Sequence, residues 1–276
     1  MKKAGNMPRR KTTMLKRVLL FLVLYLIVLA LSILWIGNIS SYLFLKIPWF
    51  LALAVFLGLL AGVLKAKLKD TTGVAAPVGW VKRHNSGSFL EHWGTVFGLF
   101  LLVISGYLLH AKASLFMTNF HFLGLFFTLL FGCYFLADFF ASRKYNDLLP
   151  SQTDIVEGTI KKYLFRAKWN DAGKYIASQK SAFLAFLTLG IGISITGFVK
   201  LAGILWRIPV EVIKISTVIH DIAALLFVLM VIVHILLVVS VRLHRRLFRS
   251  WFTGIIPESS QKTETTPAVQ PKVDSP

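Results

Sequence analysis

His220 and His234 stand fourteen residues apart in the apolar stretch Ile219–Val241, IHDIAALLFVLMVIVHILLVVSV. At ~1.5 Å per residue the two lie roughly 21 Å apart along a helix axis. At ~100° per residue, fourteen steps fall within ~40° of four full turns, so both imidazoles leave one face. Such a helix presents one ring near each edge of a ~30 Å hydrocarbon layer. Ionisable side chains are expensive there and mark functional positions. Imidazole is a standard axial ligand, so two stacked metal centres, with haem iron the first candidate, account for the spacing. Helix–helix hydrogen bonding is the competing explanation for an intramembrane histidine.

The rest of the chain is built to hold such a helix. It is 56% hydrophobic, with a mean hydropathy of +0.69, which indicates an integral membrane protein. The net charge of +19 does not indicate nucleic acid, because the basic residues fall in short segments between apolar runs. The pattern predicts an all-α fold of six transmembrane helices. Their apolar runs are 18–36, 48–64, 92–110, 121–141, 181–199 and the stretch at 219–241. The first run is too long for the core of a cleaved signal peptide and reads as a retained span. Residues 201–215 are expected to cross the outer surface, and 142–180 to form a long basic loop. Of 31 Lys/Arg, 24 fall on one side of this topology and five on the other. The two remaining lie in the tail. That imbalance predicts both termini on the cytoplasmic side of the inner membrane. Three regions are expected: a basic flank and two-helix hairpin (1–69), a four-helix domain (70–253), and a Pro/Thr/Ser-rich tail (254–276) of disordered composition.

Topology gives each histidine a depth. His92 and His234 lie near the inner edge, His121 and His220 near the outer edge, so depth pairs His92 with His234 and His121 with His220. His110 ends the third span at a similar outer depth and is the rival to His121. His84 and His244 sit among basic residues outside the hydrocarbon. Gly94, Gly98 and Gly124 suit either a flat macrocycle between helices or close helix packing. The single cysteine, Cys133, is a packing residue by position, and no CxxCH or iron–sulfur ligand set is present. Asp138 and Asp221 are candidates for proton movement or for bonding to a ligand, with structural roles more common for such residues.

Three stretches resemble the di-haem cytochrome b (gamma) subunits of respiratory formate dehydrogenases, within the cytochrome b561 and hydrogenase b-type cytochrome superfamily. EHWGTVFGLFLLVISG (91–106) is similar to that family's first helix. GKYIASQK (173–180), with ITG at 195–197, resembles its GKYNAGQK loop and TG-ended helix, and 219–234 matches its last helix with the same histidine spacing. The resemblance covers about residues 80–250. It implies two b haems on the pairs already named. It also implies an iron–sulfur subunit and a catalytic oxidoreductase subunit as partners on the outer face, and a menaquinone site near His234. By position Tyr175, Ser178, Gln179 and Lys180 would contact that quinone. Ile176 and Ser178 stand where the family has Asn and Gly, and Phe89 where it has Arg. His121 precedes its glycine by three residues where the family commonly has four.

The function expected is an electron-transferring membrane anchor, with any catalysis of its own limited to a quinone reductase or quinol oxidase site. The alternative is a transporter or channel moving protons or metal through His and Asp. It lacks an inverted repeat and mid-span proline. A structural anchor without cofactor would leave four depth-matched histidines unexplained.

Overall fold

The computed structural model describes residues 11–68, 78–169 and 175–257. The expected flank before residue 11, most of the tail, and Gly173 and Lys174 of GKYIASQK lie outside the described residues. Helices run in the order α1 (Lys11–Gly37), α2 (Leu43–Lys46), α3 (Phe50–Lys67), α4 (Ser86–Ala111) and α5 (Leu115–Ala141). Short turns α6 (Tyr145–Leu148) and α7 (Gln152–Ile155), a π-helical turn (Val156–Lys161) and α8 (Lys162–Leu164) follow. The chain closes with α9 (Ala177–Leu205), α10 (Val210–Ser240) and α11 (Arg242–Thr253). Two three-residue strands, β1 (Trp80–Lys82) and β2 (Ile255–Pro257), pair with each other. Among the described residues six helices, α1, α3, α4, α5, α9 and α10, are long and apolar enough to cross a membrane. The fold is all-α and multi-spanning, as the hydropathy predicts.

Element ends differ from expectation where helices absorb polar residues. The segment 201–215 is no surface crossing, because α9 runs to Leu205 and α10 begins at Val210. Pro209, in an extended conformation, starts α10, and Glu211 and Lys214 pair at 3.2 Å on its exposed first turn. Likewise α5 begins at Leu115 rather than His121, because the Ser114 hydroxyl accepts the Met117 amide and caps it. His121 therefore sits in the second turn. The loop 142–180 carries the short helical turns named above.

The contacts divide the chain into two compact units. In the first, residues up to Lys144 with Arg246–Ile256, α4 and α5 pack closely through glycine. A Cβ on Gly98 would come within 3.0 Å of the Phe127 carbonyl carbon, and one on Gly124 within 3.0 Å of the Leu102 amide. Gly94 faces the Phe131 ring. These three glycines serve helix packing. Helix α3 joins the same way through Gly58 and Gly62, one turn apart. A Cβ on Gly58 would lie 2.9 Å from that of Cys133. Asn119, fully buried, accepts the Leu43 amide at 2.8 Å and so ties down the connection before α3. Gly254, at φ +75°, makes the turn from α11 into β2, and its carbonyl accepts the Arg83 amide at 2.8 Å.

The second unit, Tyr145–Arg245, is the antiparallel pair α9/α10 with the short helices before it. Phe186 and Phe227 meet edge to face between α9 and α10, and the Ser216 hydroxyl donates to the Thr196 carbonyl at 2.9 Å. Helix α10 is unbroken from Val210 to Ser240, so the same-face, ~21 Å separation of His220 and His234 holds.

Candidate functional site

Each unit holds one histidine in the same kind of clamp. In the first, His121 Nδ1 lies 2.9 Å from the Ser105 hydroxyl of α4. That hydroxyl donates its single proton to the Leu101 carbonyl at 2.6 Å, so its oxygen accepts and Nδ1 carries the hydrogen. In the second, His220 Nδ1 lies 3.0 Å from the Thr196 hydroxyl and 3.1 Å from the Ile193 carbonyl. A carbonyl can only accept, and Thr196 donates to the Gly192 carbonyl at 2.8 Å, so Nδ1 is again the donor. Both rings are thus held in the tautomer that leaves Nε2 with a lone pair, the state a metal-binding imidazole needs.

The residue after each clamp is glycine. A Cβ on Gly106 would lie 3.6 Å from His121 Cε1, and one on Gly197 3.3 Å from His220 Cε1. The second distance is tighter than ordinary van der Waals contact, so glycine there keeps the ring's edge clear. Ser105–Gly106 and Thr196–Gly197 are the functional residues that composition and depth do not reveal. Their signal is present in the sequence as the SG and TG dipeptides that end two of the stretches resembling the family.

The other two histidines pack against aromatic rings. His92, seven residues into α4, stacks on Trp251 at 4.5 Å between centroids, and Trp251 stacks on His84 at 3.7 Å. His234 on α10 meets the edge of Phe186 at 5.8 Å. In the first unit His121 stands level with Ser105, thirteen residues and therefore ~20 Å along α4 from His92. In the second, His220 and His234 are ~21 Å apart. Each unit carries two imidazoles at one separation. His110, exposed in the last turn of α4, would stand ~27 Å from His92 and does not match.

The GKYIASQK residues are engaged locally. Ser178 is buried, with its hydroxyl 3.2 Å from that of Tyr163, and the Gln179 side chain accepts the Ile176 amide at 3.4 Å. Lys180 reaches Asp154 at 3.1 Å. Burial raises the Asp154 pKa, but hydrogen bonds from Ser151 and Lys180 outweigh it and hold the carboxyl below its ordinary value. Tyr175 is half-buried just before α9. Asp221 is exposed. Asp138 belongs to a buried ionic cluster: Lys65 lies 2.6 Å from Glu91 and 2.7 Å from Asp138, and Lys144 bonds Asp138. Among the described residues no three His, Cys, Asp or Glu converge as a metal site on their own.

A family model, that of prokaryotic cytochrome b561, matches residues 83–254. The chain belongs to the prokaryotic cytochrome b561 family. The match runs from just before α4 to just after α11, and its two end residues are bonded to each other through the Arg83 amide and Gly254 carbonyl. No curated protein matches the chain. As a prokaryotic cytochrome b561 it is a multi-pass membrane b-type cytochrome working in electron transfer, and the family implies b-type haem. The residues present fit that group: the His121 and His220 rings are each fixed through Nδ1, beside a glycine where a side chain would stand against the ring edge. Haem, when bound, supplies reversible one-electron transfer at its iron. The chain supplies the ligands, their tautomers and their spacing.

Proposed function

We propose that this cytochrome b561 is the membrane subunit of a respiratory oxidoreductase of formate dehydrogenase type. It relays electrons through two b haems between an extracytoplasmic iron–sulfur and catalytic subunit pair and menaquinone. His92 with His234 would hold the inner haem and His121 with His220 the outer one, both termini being cytoplasmic. The observation that carries this reading is the matched separation, ~20 Å and ~21 Å, of the two histidines in each unit. A ladder of two bis-histidine haems needs two pairs of imidazoles at one spacing. Tyr175, Ser178, Gln179 and Lys180 would stand near the quinone at the inner end. The GKYIASQK resemblance supports this placement.

The test is a pyridine haemochrome assay on the purified chain, with reduction by menadiol, a soluble menaquinol analogue. Two b haems per chain that menadiol reduces are expected. One haem per chain would overturn the ladder, and haems that menadiol cannot reduce would overturn the quinone reading.

A further inference from the structure

The second unit contains a polar cluster that the proposed ligands do not use. His244 of α11 is buried, at 8% exposure. Its Nε2 lies 2.9 Å from the Tyr163 hydroxyl and 3.4 Å from that of Ser178, and the two hydroxyls are 3.2 Å apart. Three elements, α8, α9 and α11, thus close on one ring nitrogen. Tyr163 lies two residues past the π-helical turn Val156–Lys161, a conformation frequent at functional sites. Thr159 of that turn meets the Ser181 hydroxyl at 2.9 Å, so the turn is fastened to the first turns of α9 three residues past Ser178.

An imidazole nitrogen either donates or accepts. With Nε2 bare, the Tyr163 O–H donates to it. With Nε2 protonated, the N–H donates to the phenol or serine oxygen. One proton can therefore be taken up or released while the heavy atoms stay in place, and histidine is the side chain whose ordinary pKa allows this near neutrality. The charged groups around the cluster are Lys162, 5.9 Å from the centre of the Tyr163 ring, the Lys180–Asp154 pair, and Arg242 and Arg245 on α11 itself.

We infer that His244 and Tyr163, oriented by Ser178, are the proton-transferring pair of the quinone site. This rests on the quinone reading above. Ser178 belongs to GKYIASQK, and His244 lies ten residues past His234. In the reducing direction the quinone takes two electrons, which the cytochrome's electron transfer supplies, and two protons. One carbonyl oxygen takes its proton from His244 Nε2–H. The Tyr163 O–H then passes its proton to the bared Nε2 and is reprotonated from the aqueous phase. The other carbonyl oxygen takes its proton from that aqueous phase, giving the quinol. Quinol oxidation runs the same transfers backwards.

The experiment compares full-length wild type, His244→Gln and Tyr163→Phe. Haem reduction by menadiol is followed by stopped flow in H₂O and D₂O. Binding of a hydroxyquinoline N-oxide, a menaquinol analogue, is followed by fluorescence quenching. Haem content and midpoint potentials are expected to stay at wild-type values. The rate should fall about a hundredfold in His244→Gln and about tenfold in Tyr163→Phe, with the solvent isotope effect altered in both. Wild-type rates and isotope effects in the variants would overturn the inference while leaving the quinone reading intact. Tyr163→Phe removes only a hydroxyl, so it reports on the same proton transfer even where His244→Gln fails to accumulate. A wild type that neither binds the analogue nor accepts electrons from menadiol would overturn both.

Discussion

The helix pairs α4/α5 and α9/α10 fix a histidine by the same chemistry but are held together differently. In the first, Gly94, Gly98 and Gly124 bring the two helices into close contact, and α3 braces the pair through Gly58 and Gly62. In the second, Gly190 and Gly192 have nothing within 4 Å of where a Cβ would stand. Its helices are joined by the Phe186–Phe227 ring pair, by Gly203 against the Ile213 side chain, and by polar links, Ser216 to the Thr196 carbonyl and His220 to Thr196 and Ile193. Ring orientation is therefore a local property of one hydroxyl and one glycine, whereas the surrounding packing is free to vary. A second contrast concerns origin. Helix α3 lies outside the family match at 83–254, yet its Lys65 sits between Glu91 and Asp138 inside that region.

Disrupting the glycine packing of the first pair should have the largest effect. Gly98→Leu drives a side chain into the α5 backbone at Thr128 and should abolish folded, haem-loaded protein, whereas Gly190→Leu should accumulate normally. Yield after size-exclusion chromatography reads both. Next comes Lys65→Met, which leaves two buried carboxylates with one cation. It should lower stability by about 3–5 kcal/mol, seen as a fall in Tm, and Lys65→Met with Glu91→Gln should recover part of the loss. Ser105→Ala and Thr196→Ala should each weaken haem binding by about 10–100-fold in titrations of the apo protein. Equal losses in the two would show that the clamp works independently of packing. The smallest effect belongs to Asp154. Its native pKa is depressed, so its pairing with Lys180 stabilises fully above the ordinary carboxylate range. That contribution disappears as pH falls through the native value. Melting curves from pH 6 to pH 3 should show this component, and Asp154→Asn should remove it.

Much of this is legible in the sequence. Long apolar runs bounded by basic segments specify six helices, because length and hydropathy are properties of single stretches. The spacing of His220 and His234 is equally local, since one helix carries both. The clamps are not legible, because Ser105 meets His121 only once the cap at Ser114 starts α5 six residues before that histidine. The same holds for the ionic cluster. Lys65 reads as a basic residue marking a membrane edge, and only the close approach of α3 to α5 carries it to carboxylates far along the chain. His244 reads as one member of a basic exit segment, yet its burial against Tyr163 and Ser178 depends on three elements meeting.

The proposal stands on His121 and His220, the two clamped histidines, as axial ligands of one haem in a ladder of two. Its decisive measurement is haem-to-protein stoichiometry, by pyridine haemochrome, in wild type, His121→Ala, His220→Ala and His110→Ala. Two haems per chain are expected in wild type and His110→Ala, and about one in each of the other two variants. Loss of a haem in His110→Ala, with two retained in His121→Ala, would overturn the assignment.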